Sequence, residues 1–187
     1  MKRCDWATKH ALETHYHDTE WGVPSYDDHY LFKMLVLEGM QAGLSWLTIL
    51  SKMVTLCQAY DDFVPQVVAE YDEAKWEALL ADPGVVRNRL KIKAVTTNAQ
   101  AYLAVSKEFG SFSNYIWSFV QGQPLINHWT SIDQVPAKSD LSDKLSKDLQ
   151  KRGFKFVGST TVYAFMQAVG IVNDHLEDCD FKKAERS

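Results

Sequence analysis

The sequence predicts an all-α fold, built as a single compact helical domain over residues 1–187. Apolar residues recur every three or four positions through most of the chain, which is the spacing of the buried face of an amphipathic helix. No segment alternates apolar and polar residues strictly enough to indicate a half-buried strand. Most connections between the helical patterns are short, and the chain contains no internal repeat, low-complexity tract or linker.

The helical patterns begin with two helices between Leu31 and Val54, separated by a break near Gly39 to Gly43. Further helices are predicted over residues 67–70, 72–81, 88–109, 112–120, 141–152 and 159–172. Ser139 and Asp140 precede one of these patterns and are suitable helix caps. The prolines in residues 122–139 predict an irregular surface excursion.

A short turn at residues 82–87 joins two of the predicted helices. Its glycine permits a tight turn from which main-chain N–H groups, here those of Gly84 and Val85, point outward together and bind a phosphate. Basic residues follow at Arg87, Arg89 and Lys91. The unit is similar to a helix-hairpin-helix clamp for a DNA backbone, although an ordinary helix connection with a glycine cap explains the pattern equally well.

The net charge of −4 argues against a protein that coats nucleic acid through bulk electrostatics. DNA binding would therefore require a local basic face. Besides the residues after the turn, a second run contains Lys147, Lys151, Arg152 and Lys155. A solvated helix face explains either run when it is taken alone.

Three features of the sequence indicate where in the cell the protein is located. The N-terminus lacks the apolar stretch of a secretory signal, and the long uncharged segment 158–173 contains polar residues that a lipid-spanning helix would exclude. Three scattered cysteines are too few for a disulfide framework. We therefore expect a cytoplasmic protein with no membrane association.

Four residues with zinc-binding side chains lie near the two ends of the chain: Cys4, His17, His175 and Cys179. The last two are four positions apart, so that one helical turn would place both on one face. Spacing alone leaves coincidence open, because the pattern is not that of a compact zinc finger. Two thiolates and two imidazoles would complete a tetrahedral shell, so one bound ion would be structural.

Aromatic residues are concentrated in the first quarter of the chain, where Glu38 immediately precedes Gly39. Aromatic faces stack on a flipped base, and a carboxylate accepts hydrogen bonds from the exocyclic amine of adenine. An aromatic core with Glu38 exposed at a helix end is the alternative for each residue taken singly.

Several motifs together resemble the 3-methyladenine DNA glycosylase I family. These are RCDW at 3–6, YHD at 16–18, EWGVP at 20–24, LEG at 37–39 and QAGLSW at 41–46. The resemblance continues at 88–93, 116–120, 151–158 and 172–175, so it covers nearly the whole chain. One departure is Glu13, where relatives carry an aromatic residue near the pocket.

The resemblance implies a helix-hairpin-helix glycosylase that flips 3-methyladenine out of alkylated duplex DNA and hydrolyses its N-glycosidic bond. It implies that Cys4, His17, His175 and Cys179 hold one structural zinc ion. It also places the base between Tyr16 and Glu38, which form hydrogen bonds to it, and Trp46, which stacks on it, with Trp6 and Trp21 in the pocket wall. No lysine occupies an evident nucleophile position in the pocket segments, which favours a monofunctional enzyme, and no obligatory protein partner is evident.

The break between the first two predicted helices has a hypothetical role of its own. Its tip, which includes Gln41, Gly43 and Leu44, would enter the duplex and fill the space left by the flipped nucleotide. A simple helix connection is the alternative.

Two rival functions of the whole protein also remain. One is a non-enzymatic DNA-binding module, which leaves the aromatic pocket unexplained, and the other is a zinc hydrolase, which needs an open position on the metal.

Overall fold

The computed structural model describes residues 1–182, so the last five residues of the predicted domain lie outside it. A 3₁₀ turn at Asp5–Thr8 precedes α1 (Ala11–Thr19), α2 (Asp28–Met40), α3 (Trp46–Ser51) and α4 (Met53–Ala59). After a turn at Asp61–Phe63 come α5 (Pro65–Val68), α6 (Glu73–Ala81), α7 (Arg89–Phe109) and α8 (Phe112–Ser118). The chain continues through β1 (Leu125–Ile126), a turn at Ile132–Gln134, α9 (Asp140–Lys151), α10 (Ser159–Ala168) and β2 (Val172–Asn173).

The prediction of an all-α fold is confirmed, with local differences. The helix α1 is additional, and α10 ends at Ala168 rather than at residue 172. The chain turns at Gly170, where φ is +74° and a Cβ atom would lie 2.4 Å from the main chain of Val23 and Pro24. Only glycine fits this close approach. The two-residue strands β1 and β2 pair in parallel, and they are too short to produce a recognisable alternation.

Side-chain caps set several helix starts. Ser139 forms a capping box with Ser142 at the start of α9, which confirms the predicted cap. Asn88 caps α7 by accepting a hydrogen bond from the amide of Lys91 at 3.1 Å. Ser45 caps α3 in the same way, so the predicted break is the loop between Met40 and Ser45.

The helix α2 occupies the centre of the fold. Every residue from Met34 to Met40 is buried, and α2 packs against α7, α8 and α10. Its C-terminal end therefore carries Glu38 into the interior, while the chain emerges at the surface immediately afterwards. Within residues 1–182, no helix combines the length and the apolar character needed to cross a bilayer.

Candidate functional site

A pocket with a volume of about 190 Å³ lies beside the C-terminal end of α2. The structure brings together all five residues predicted to contact a base, and it adds two residues of α10. The lining consists of Trp6, Tyr16, Trp21, Glu38, Gln41, Trp46, Ala164 and Gln167. Residues from the N-terminal turn, α1, α2, α3 and α10 thus meet in one concave site.

Aromatic rings form most of the pocket wall. The rings of Tyr16 and Trp46 lie 5.3 Å apart between centroids and are inclined by 48°. Trp6 meets Trp21 edge to face at 5.1 Å. Such tilted and edge contacts are the favoured geometry of aromatic pairs, and they hold the rings in fixed orientations around the cavity.

Two hydrogen-bond donors in this wall lack partners within the described part of the chain. The Tyr16 hydroxyl and the Trp46 Nε1 are buried and make no hydrogen bond. A buried polar atom without a partner costs free energy, so native structures rarely retain one without a reason. A ligand that offers acceptors would remove this cost.

Glu38 is the buried acidic group of the pocket, with only 6% of its surface exposed. Burial raises the pKa of its carboxyl group to about 8, because the charged form loses its hydration. The site therefore contains a carboxyl group that gains most from a ligand carrying positive charge or hydrogen-bond donors.

This pKa predicts a pH-dependent stability. Between the ordinary pKa of 4.5 and the folded value of about 8, the folded protein binds the proton more tightly than the unfolded chain. The free energy of unfolding should therefore fall as pH rises through this window, by a few kcal/mol, since one pKa unit corresponds to about 1.4 kcal/mol.

Urea unfolding of the wild type and of Glu38→Gln at pH 5 to 9 checks this prediction. The variant is expected to match the wild type near pH 5 and to be more stable near pH 9. Parallel stability curves for the two proteins would contradict it.

The four predicted metal ligands lie together and are buried: Cys4, His17, His175 and Cys179. Their donor atoms all lie within 4.8 Å of one another. Cys179 Sγ is 3.6 Å from both His17 Nε2 and His175 Nδ1, and Cys4 Sγ is 3.8 Å from His175 Nδ1. The cluster can hold a metal ion, and it ties the N-terminal segment to the segment after β2.

Hydrogen bonds behind the cluster orient both imidazoles. His17 Nδ1 lies 2.9 Å from Asp18 Oδ1, and Arg3 donates to the same carboxylate at 2.7 and 2.9 Å. His175 Nε2 lies 3.2 Å from the main-chain oxygen of Trp21. These bonds leave His17 Nε2 and His175 Nδ1 directed at the cluster, as metal ligation requires.

The metal cluster and the pocket share a wall. The rings of His17 and Trp21 stack at 5.9 Å, and Trp21 meets His175 edge to face at 4.6 Å. A Cβ atom at the next residue, Gly22, would lie 2.9 Å from His175 Nε2. The cluster therefore supports the side of the pocket that Trp21 forms.

The loop between α2 and α3 borders the mouth of the pocket. Gln41 lines the cavity, whereas Ala42, Gly43 and Leu44 are exposed. Leu44 is 40% exposed, and Gly43 has a φ of +78° with open space on the side where a Cβ would lie. The loop places an apolar side chain on the surface directly beside the pocket.

The turn between α6 and α7 differs in detail from the predicted clamp. The Gly84 amide donates to Asp82 Oδ1 at 2.7 Å, and the Val85 amide bonds to the Asp82 carbonyl at 3.4 Å. Both amides are therefore engaged within the turn rather than directed outward, and the Val85 side chain is buried. The Asp82 side chain satisfies the Gly84 amide, because an aspartate readily accepts from the amide two residues later, and its main-chain carbonyl accepts from Val85.

The predicted DNA-facing cations have three different environments. Arg87 and Lys155 are exposed. Arg89 is exposed but paired with Glu73 at 3.3 Å and with Glu77. The prediction that Lys91 faces DNA is wrong. Its side chain is buried, and its ammonium donates to the main-chain oxygens of Met40 and Ala42.

Sequence reasoning missed Ala164 and Gln167 on α10. They are three positions apart, so they share one face of the helix. Gln167 Nε2 donates to the buried Asp174 at 2.9 Å, which fixes the side chain at the pocket. The available signal was a single glutamine within the apolar segment 162–170.

Comparison with known proteins gives consistent matches over this chain. Residues 6–183 match the family model described as methyladenine glycosylase. The DNA-3-methyladenine glycosylase of Haemophilus influenzae is 44% identical over 180 residues, which is 96% of this chain and 97% of that protein. The DNA-3-methyladenine glycosylase 1 of Escherichia coli is 46% identical over 179 residues, 96% of each chain. A solved variant of 3-methyladenine DNA glycosylase I in complex with 3-methyladenine is 40% identical, with a TM-score of 0.95 and 98% coverage of each chain.

Proposed function

Since this chain belongs to the methyladenine glycosylase family, we propose that it repairs DNA by excising 3-methyladenine with the pocket described above. The observation that carries the assignment to this pocket is the combination of Glu38 with two buried, unpartnered donors in one aromatic cavity. The complex of a 40% identical relative with 3-methyladenine supports the same ligand. We also propose, as the sequence predicts, that residues 1–187 form a single glycosylase domain.

The chemistry of the substrate explains why this pocket suffices. A methyl group on N3 makes the adenine cationic, so the base leaves as a neutral molecule and strong acid catalysis is unnecessary. Water adds its oxygen to the sugar carbon C1′ and releases a proton to solvent, while the bond from C1′ to N9 breaks and its electrons stay with the base. The product is an abasic site, and no lysine nucleophile is required.

The pocket residues have distinct roles in this proposal. Tyr16 and Glu38 form hydrogen bonds to the extruded base, Trp46 stacks on it, and Trp6 and Trp21 form the wall. The bound cationic base lowers the raised pKa of Glu38, so the occupied pocket holds a carboxylate, which stabilises the base and the positive charge that develops on the sugar during cleavage. We place Glu38 as the catalytic residue in this electrostatic sense.

We propose one structural zinc ion at Cys4, His17, His175 and Cys179. Zinc bonds of about 2.3 Å to sulfur and 2.0–2.1 Å to nitrogen in a tetrahedral shell imply sulfur-to-nitrogen distances of about 3.6 Å. Three of the four distances between a cysteine sulfur and a histidine nitrogen, at 3.6, 3.6 and 3.8 Å, fit this geometry. When bound, the ion supplies a closed, structural cross-link, since four protein ligands leave no position for a reactive water. This argues against the zinc hydrolase.

We further propose that the partner is alkylated duplex DNA, without an obligatory protein partner, in the cytoplasm. Three scattered cysteines are too few for the disulfide framework of a secreted protein, which supports this location. The DNA backbone would lie against the exposed Arg87, Arg89 and Lys155, with the turn at Gly84 and Val85 nearby.

The loop tip of Gln41, Gly43 and Leu44 would enter the duplex as a wedge. The exposure of Gly43 and Leu44 beside the pocket supports this proposal. We expect Leu44→Ala and Gln41→Ala each to weaken binding to abasic-site DNA by about tenfold, the equivalent of about 1.4 kcal/mol. Fluorescence anisotropy with a labelled duplex measures this.

Leu125→Ala is the matched control for the wedge, because Leu125 is 44% exposed in β1. It should bind abasic-site DNA as the wild type does. Unchanged affinity in both loop variants would rule out the wedge.

The most direct test of the function is incubation with methylated duplex DNA and chromatography of the released bases. We expect 3-methyladenine to be released without strand cleavage. A protein that binds DNA but releases no base would instead be the non-enzymatic binding module. Stoichiometric zinc in the purified protein, measured by atomic emission, tests the metal separately.

A further inference from the structure

The ammonium of Lys91 is turned into the protein, where it contacts main-chain oxygens instead of solvent. Lys91 is 7% exposed on the first turn of α7. Its Nζ donates to the Met40 carbonyl at 2.9 Å and also to the Ala42 carbonyl. These oxygens lie at the C-terminal end of α2 and in the following loop, where helix carbonyls lack partners within the helix and the helix dipole is negative.

From this contact we infer that Lys91 is a positioning residue, which holds the Gln41–Leu44 wedge in place from the helix that follows the α6–α7 turn. The inference rests on the proposed wedge. The backbone of the loop provides its own bonds from the amides of Gln41, Ala42 and Leu44. Lys91 adds a tie to a different helix, so the tip cannot shift without breaking contacts to a buried charge.

A second contact of α7 supports this role. Asn98 is seven residues after Lys91, two turns along the same face, and it is also buried. Its Oδ1 accepts from the Lys155 amide at 2.7 Å, and its Nδ2 donates to the Lys155 carbonyl at 3.0 Å. One face of α7 therefore fastens both the wedge and the segment that carries the exposed Lys155.

Close packing leaves this arrangement little freedom. Lys91, Asn98, Gly39 and Phe156 line a cavity of only about 10 Å³. A Cβ atom at Gly39 would lie 3.1 Å from both the Cβ and the carbonyl oxygen of Phe156. Because Glu38 immediately precedes this contact, the same packing fixes the end of α2 at the pocket.

Lys91→Met tests the inference, since it keeps an unbranched side chain and removes the charge and the donors. We expect its affinity for abasic-site DNA to fall about tenfold relative to undamaged duplex, as displacement of a positioned group predicts. The slope of log K against log salt should be unchanged. A phosphate contact would instead weaken binding to both DNAs alike and reduce that slope by about one.

Lys93→Met is the matched control. Lys93 lies two residues along α7, pairs with Glu73 at 3.3 Å and sits 4.7 Å from the ring centroid of Trp76. It removes the same charge without touching the loop, so the ratio of abasic to undamaged affinity should stay at the wild-type value. If Lys91→Met does not fold, Lys91→Gln, which keeps an amide donor, replaces it. We expect this variant to lose affinity for abasic-site DNA in the same way but by a smaller factor.

Two further readouts separate the possible outcomes. Affinity for free 3-methyladenine, followed by tryptophan fluorescence, should change less than twofold, whereas general loss of structure would lower it together with DNA binding. If wild type prefers abasic-site DNA and Lys91→Met keeps that preference, the inference about Lys91 is wrong. If wild type releases no 3-methyladenine, the proposed function itself fails, whatever the Lys91 variants do.

Discussion

Replacement of Glu38 by glutamine is expected to lower kcat/KM for release of 3-methyladenine by about 100-fold, the usual size of the loss when one electrostatic group of a catalytic site is removed. The amide has nearly the shape of the carboxyl group, so the aromatic cavity should persist. What is lost is the negative charge that a cationic base and a developing positive charge on the sugar both require. Single-turnover release of base from methylated DNA, measured with enzyme in excess, isolates the chemical step.

Glu20→Gln is the control for this experiment. Glu20 accepts a hydrogen bond from Tyr30 at 3.3 Å and lies outside the pocket lining. Glu20→Gln therefore makes the same chemical change as Glu38→Gln, but at a residue that does not contact the base. We expect its kcat/KM to stay within about twofold of wild type. Equal losses in the two variants would mean that Glu38 acts through the general field of the protein, and full activity of Glu38→Gln would exclude it from the reaction.

Loss of a metal ligand is expected to have the largest effect on stability. Cys179→Ser should abolish stoichiometric zinc and lower the free energy of unfolding by about 5 kcal/mol, the size that the loop-closure model gives for a cross-link between His17 and His175. Urea unfolding, together with metal analysis of the same samples, measures both quantities. Dialysis of the wild type against a chelator should produce the same loss.

Cys57→Ser provides the matched control for this substitution. Cys57 is half-buried in α4 and lies outside the cluster, so the same change of atom there should leave the zinc content unchanged. Its effect on stability should be about 1 kcal/mol, as for most single substitutions. A Cys179→Ser protein that keeps both its zinc and its stability would contradict the proposed site.

The base pocket and the metal cluster could be predicted from sequence for different reasons. Single residues such as Glu38 or Trp46 are ambiguous, because an aromatic residue and a helix-end carboxylate occur in many cores. The dense motifs around them remove that ambiguity by resemblance. For the metal ligands the spacing was weak evidence, since His17 and His175 are far apart along the chain, and only the fold brings their donor atoms together.

The predictions that differ from the structure do so for one physical reason: tertiary contacts, which the sequence does not show, decide which groups are buried or paired. A lysine in a basic run is normally expected to face solvent, yet Lys91 is turned inward by the carbonyls at the end of α2. Likewise, the sequence predicts a Gly84 amide that is free to bind a phosphate, whereas in the structure this amide donates to the side chain of Asp82. Two-residue strands such as β1 and β2 carry no periodic signal at all, because their pairing depends on a remote segment.

The shared wall between Trp21 and His175 also has a consequence for biosynthesis. Domains emerge from the ribosome N-terminal end first. Most pocket residues are therefore synthesised within the first quarter of the chain, whereas His175 and Cys179, which support the Trp21 side, are translated near the end. We expect a nascent chain that has not reached Cys179 to lack this support for the pocket wall. We therefore expect base excision to become possible only when translation of the domain is nearly finished.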